Sequence, residues 1–184
     1  MFEVIILAFA LSMDAFAVSI GLGIKTPKEQ RRKVALKVGL VFGFFQAFMP
    51  FVGYLGGKGL QEYTNGYDSM IAFFLLLVIG IKMIYESFGE NTEEEITKVS
   101  NKILLVLAIA TSIDAMAAGF SLYLFTLEIY LSLALIGGIT FIMSYFGVCI
   151  GGKGSAKYES KAEFLGGIIL ILIGIKIMLE ETVI

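Results

Sequence analysis

Six long apolar runs, each bounded by charged or polar residues, constrain this chain more than any other feature: Val4 to Ile24, Ala35 to Gly57, Ser69 to Phe88, Ile103 to Phe125, Ile129 to Ile150 and Phe164 to Leu179. A bilayer-crossing helix needs about 20 predominantly apolar residues, so the six runs take up most of the 184 residues and leave only short connections. Backbone amides in hydrocarbon must be satisfied within their own segment, which makes each run a helix. The expected fold is an all-α membrane protein with six transmembrane helices. Composition bears this out: 16% of residues are charged and 58% hydrophobic, against about 25% charged in a soluble domain, and a water-soluble monomer is excluded. The first run opens Met-Phe-Glu with no basic flank and carries Asp14 at its centre, so it reads as a retained helix, not a cleaved signal peptide.

Short cytoplasmic loops collect Lys and Arg. The first loop holds Lys25, Lys28, Arg31, Arg32, Lys33 and Lys37, the third Lys98 and Lys102, and the fifth Lys153, Lys157 and Lys161; the opposite side has Lys58 alone. This bias puts loops one, three and five inside and both termini outside. Anchoring against anionic membrane lipid accounts for the basic stretch from Lys25 to Lys37, and no nucleic-acid partner is expected. The acidic run Glu90, Glu93, Glu94 and Glu95 reads as a solvated linker. His is absent and Cys149 is the only cysteine, which removes imidazole chemistry, disulfides and thiolate metal cages; Cys149 reads as packing. The stretch from Gly147 to Lys153 mimics a phosphate-binding loop, but Gly154 stands where Ser or Thr is required. No nucleotide, no cofactor and no enzymatic activity are expected.

The chain is also written twice. Ala8, Ala10, Ser12, Asp14, Ala15 and Ala17 recur as Ala108, Ala110, Ser112, Asp114, Ala115 and Ala117; Gly-Gly-Lys-Gly occurs at Gly56 to Gly59 and at Gly151 to Gly154; and Gly80-Ile81-Lys82 returns as Gly174-Ile175-Lys176. Residues 1–90 and 91–184 therefore read as two three-helix repeats within one membrane domain. Three is odd, so the second repeat starts on the opposite side from the first. Inverted repeats of this kind build many secondary transporters, with sites near the midplane at the repeat interface.

Asp14 and Asp114 fall mid-span, where a charge costs roughly 2.5–3.5 kcal/mol on insertion scales. Neither span contains a Lys or Arg, and a cost retained in both copies points to a cation. Ala10, Asp14, Ala17 and Gly21 share a helix face, as do Ala110, Asp114, Ala117 and Ser121. Small residues at such intervals admit close helix packing, and the first and fourth helices are expected to cross and bring the two acids together. Further oxygen ligands at this depth are Ser12, Ser112 and Gln46, with Pro50 freeing a backbone carbonyl in the second span. Such oxygen-rich sites suit Mn, Mg and Ca. Lys82 with Glu86, and Lys176 with Glu180, read as local pairs at helix ends, with the lysines snorkelling.

The segments SMDAFAVSIGLG from Ser12, FGFFQAFMPFVG from Phe42 and ATSIDAMAAGF from Ala110 resemble the bacterial MntP manganese efflux family of the wider LysE exporter superfamily, and the resemblance covers essentially the whole chain. It implies a six-helix exporter in the bacterial cytoplasmic (inner) membrane that lowers cytoplasmic manganese, with Asp14 and Asp114 as functional acids. Some relatives carry an acid where this chain has Gln46. Manganese(II) would be substrate, and protons are the expected coupling ion, two carboxylates exchanging two protons for one divalent metal. Export of another divalent cation or of a cationic amino acid, an intramembrane aspartyl protease and a non-transporting membrane protein are the competing readings.

Overall fold

The computed structural model describes residues 2–64, 67–88, 100–120, 122, 129–151 and 156–182. These form six helices: α1 (Phe2–Ile24), α2 (Arg31–Thr64), α3 (Asp68–Ser87), α4 (Asn101–Gly119), α5 (Ile129–Gly151) and α6 (Ala156–Thr182). Each expected span is a helix. In α1, α2, α4 and α5 the apolar stretch is long enough to cross a membrane, whereas α3 and α6 carry the shorter stretches Ser69–Tyr85 and Phe164–Leu179. The chain is a multi-pass membrane protein. The acidic run from Glu90 to Glu95, Lys98, and residues 152–155 of the phosphate-loop mimic lie outside the described residues.

Three helices differ in extent from the hydropathy reading, α6 by starting at Ala156 and not at Phe164. Helix α2 starts earlier and runs on to Thr64 straight through Pro50. Helix α4 stops at Gly119, not Phe125, and the Phe120 N–H turns back to the Ala117 carbonyl at 3.2 Å. The end of α4 packs tightly on α2. A Cβ on Gly119 would lie 2.3 Å from the Pro50 oxygen and 2.6 Å from its Cα, so only glycine, a poor helix former, fits where α4 meets α2.

Packing follows a closed circuit: α1 lies on α5, α5 on α2, α2 on α4, α4 lightly on α3, α3 on α6, and α6 on α1, with α1 and α4 touching across it. The expected tight α1–α4 crossing is therefore a minor contact, and the close approaches are α1–α5, α2–α4, α2–α5 and α3–α6. Glycine makes them. A Cβ on Gly147 would meet the Phe16 oxygen at 2.8 Å and one on Gly151 the Ile20 oxygen at 2.1 Å; in the same way Gly53 meets Met116 oxygen at 1.9 Å and Gly57 meets Phe120 oxygen at 2.8 Å. Gly147 and Gly151 thus do to α1 what Gly53 and Gly57 do to α4. This equivalence is one residue out of phase with the Gly-Gly-Lys-Gly match, because packing follows the helix face and not the tetrapeptide. Gly43 and Gly137 face each other's carbonyls at the α2–α5 crossing, as do Gly80 and Gly167 at α3–α6. Small residues are what membrane helices use to approach closely, since lipid supplies no hydrophobic drive.

The outward faces are apolar throughout. Leu40, Phe44, Phe48 and Leu55 on α2, Leu105, Val106, Ile109 and Ile113 on α4, and Ile142, Phe146 and Ile150 on α5 are all exposed. So continuous an apolar surface is incompatible with water and fits lipid. Helix α1 is the most enclosed element, with Leu7, Ala8, Ala10, Ala15, Ala17 and Ile20 fully buried. Its first half shares a cluster with Ala115 and Ala118 of α4, and its second half a cluster with Leu104 and Ala108. The two motif helices therefore run antiparallel.

Candidate metal site

Depth comes first. Helices α2 and α4 run side by side, Gly53 against Met116 and Pro50 against Gly119. With Gly57 against Phe120 as well, Asp114 falls beside the segment of α2 that leads into Gly53, inside the apolar stretch Arg31–Gly59. Asp114 lies in the last third of α4, which ends at Gly119. Gln46 ties α2 to α1: its Nε2 donates to the Leu11 carbonyl at 2.8 Å, three residues before Asp14.

Direction comes second. Phe16, Ser19 and Ile20 face α5, and Ala10 and Met13 face Gly166 of α6, while Leu11 and Ala15 lie among the clusters shared with α4. At about 100° per residue, Asp14 falls between the α6 and α4 sides of α1. Asp114 turns to α3, where its Oδ2 accepts from Lys82 Nζ at 2.9 Å. Met83, next to Lys82, packs at Gly166 beside Ala10 and Met13. Both acids thus lie on the side of the α1–α4 pair that faces α3 and α6.

The other expected ligands lie elsewhere. Two residues from each acid, Ser12 and Ser112 point away from it; both are fully buried, and their hydroxyls donate to Phe9 and Ala108 carbonyls of their own helices at 2.7 and 2.6 Å. Gln46 enters from α2. Its Nε2 is committed to Leu11, which turns Oε1 free as an acceptor, and Oε1 is buried without a hydrogen-bond partner among the described residues. Pro50 has no N–H to give the Gln46 carbonyl, so two oxygens of one residue lack their usual partners. Thr140 Oγ1 and Ser144 Oγ on α5 are likewise buried and unpartnered among the described residues. Sequence reasoning missed these two. Thr140 and Ser144 occupy in α5 the places of Gln46 and Pro50 in α2, counted from the glycine equivalences above, and that correspondence was the available signal.

Among the described residues no group of three or more His, Cys, Asp or Glu side chains comes together. Asp14 and Asp114 are carboxylates, and carboxylates are hard donors that suit divalent metals such as Mn and Mg. Lys82 crosses to Asp114, a contact that the helix-end reading did not include. Lys176 is bonded to Glu3 at the start of α1. The side chains of Glu86 and Glu180, their expected partners, lie outside the described residues. Cys149 is a partly buried free thiol against the cluster around Phe42 and Val148.

Carboxylates held on the membrane-spanning helices of a bundle, one of them reached by a lysine from a neighbouring helix, define a polytopic membrane protein with intramembrane ionisable groups, which mark ion and proton pathways. A family profile described as "Putative manganese efflux pump" matches residues 29–178. The chain belongs to this family, MntP. A protein of Aliarcobacter butzleri named "Putative manganese efflux pump MntP" is 69% identical over 179 residues, covering 97% of this chain and 99% of that protein. One of the same name from Saccharophagus degradans is 52% identical over 97% of this chain and 98% of its own length, and "Putative manganese efflux pump MntP 1" of Wolinella succinogenes is 45% identical over 98% of each. No solved structure matches the chain.

Proposed function

We propose that this protein exports manganese(II) across the bacterial cytoplasmic membrane and that Asp14 and Asp114 bind the ion. The observation that carries the reading is the end-to-end match to relatives named for manganese efflux. The two acids support it, because two carboxylates balance one divalent charge. Gln46 acts as the supporting ligand, through an Oε1 with no hydrogen-bond partner among the described residues; Ser12 and Ser112, turned from their acids and bonded to Phe9 and Ala108, would serve only after their hydroxyls release those carbonyls and their helices rotate. A protease would need its two acids to share a proton and activate water, and a lysine on Asp114 is unsuited to that. Glycine-tight crossings favour an ion over an amino acid as cargo.

On this reading the halves 1–90 and 91–184 are inverted repeats, with both termini outside and protons entering as metal leaves. The paired contacts of Gly53 and Gly147, and of Gly57 and Gly151, support the repeat, as does the antiparallel course of α1 and α4. Manganese flux by the purified protein in proteoliposomes tests the function. Flux above empty liposomes that excess lysine does not slow is the expected result; lysine flux without manganese flux would overturn it.

A further inference from the structure

Lys82 sits on α3, whose Gly80 and Met83 are packed against α6, so the root of its side chain is fixed. Its ammonium crosses to Asp114 Oδ2 at 2.9 Å, within the range of a charge-assisted hydrogen bond. The two partners differ in surroundings: the Asp114 side chain is 13% exposed and that of Lys82 46%. Helix α3 only brushes α4. The lysine therefore reaches an enclosed carboxylate from a less enclosed side, on a flexible four-carbon stem rooted near the end of α3 at Ser87, and leaves it by snorkelling toward the interface. A divalent ion on the same carboxylate would sit within a few ångströms of the ammonium and repel it.

We propose that Lys82 is a tethered counter-cation, which occupies Asp114 when the site is empty and is displaced by the transported divalent metal. This rests on the manganese reading above. The lysine lowers the affinity of the site, drives the ion off by returning to the carboxylate, and spares the empty protein an uncompensated charge within the membrane, where charge is costly. A purely structural tie, such as Lys176 to Glu3 at the start of α1, would not compete with cargo.

Manganese binding to the purified full chain, followed by the paramagnetic resonance of free Mn(II), separates these roles. Lys82→Met and Lys82→Gln should bind Mn(II) about tenfold or more tighter than wild type and turn over more slowly, while Lys82→Arg keeps wild-type affinity. Damage to the fold would weaken binding, so the sign is diagnostic. A second measurement uses the wild type alone: saturating Mn(II) should increase labelling of Lys82 by an amine-reactive reagent, read by mass spectrometry against Lys176. Unchanged or weaker binding in both neutral variants, or labelling of Lys82 that does not rise, overturns the proposal and leaves the manganese reading standing. Absence of Mn(II) binding by wild type removes both.

Discussion

Gly151→Ala tests the packing that holds α1, the helix of Asp14, in place. The added Cβ would lie 2.1 Å from the Ile20 oxygen, 2.9 Å from its carbonyl carbon and 3.0 Å from its Cα. Ordinary contact begins near 3.4 Å, so α1 and α5 must separate by more than 1 Å at this level. The obstructing atoms are backbone and cannot rotate away. Separation also opens the neighbouring approaches, Gly23 to Val148 and Gly147 to Phe16 and Ser19. Overpacking costs about 1–3 kcal/mol, and blocked backbone places this site at the upper end. With each kcal/mol worth roughly 2–4 °C in a chain of this size, thermal unfolding in detergent should fall by about 5–10 °C, and flux should fall with it. Gly138→Ala is the control: nothing lies within 4 Å of its added Cβ, and alanine favours a helix over glycine by up to about 1 kcal/mol. If Gly151→Ala unfolds with wild type and Gly138→Ala, the α1–α5 approach is wrong.

Three other outcomes follow from the account. A cysteine introduced at Lys28 should be labelled only from the cytoplasmic side, and labelling from outside would remove the inverted-repeat argument along with the topology. Moving a doubly charged ion against a negative interior costs about 4.6 kcal/mol per 100 mV, twice the cost for one charge; two-proton exchange cancels that charge, so flux should follow an imposed pH gradient and ignore an imposed potential, the reverse pattern pointing to a uniporter. Thr140→Val and Ser144→Ala should leave thermal stability unchanged or raised, because each removes a buried hydroxyl with no partner among the described residues and with it a desolvation cost; a loss of more than about 1 kcal/mol would mean that these hydroxyls are bonded.

The six helices were legible because a bilayer forces any long apolar run into one form. Their ends and partners were not. Hydropathy continues past Gly119 to Phe125, so apolar character alone did not mark the end of α4 at Gly119. The stripe of small residues on α1 announces a close neighbour without naming it, and α5 takes that place where α4 was expected. Lys82 was given a partner on its own helix because that spacing is visible in one dimension; the distance from α3 to Asp114 is not. Thr140 and Ser144 were overlooked because neutral hydroxyls do not interrupt an apolar run. Asp14 and Asp114 stood out for the opposite reason: a carboxylate at mid-span is expensive, and this one is written twice.

The central claim is that these two carboxylates carry the metal. The most direct test is initial manganese flux into or out of proteoliposomes containing equal amounts of wild type, Asp14→Asn and Asp114→Asn. The amide keeps size and hydrogen bonding and removes only the charge, so each variant should insert and fold yet lose flux, with Asp→Glu at either position retaining part of it. Wild-type flux in both Asn variants would contradict the account.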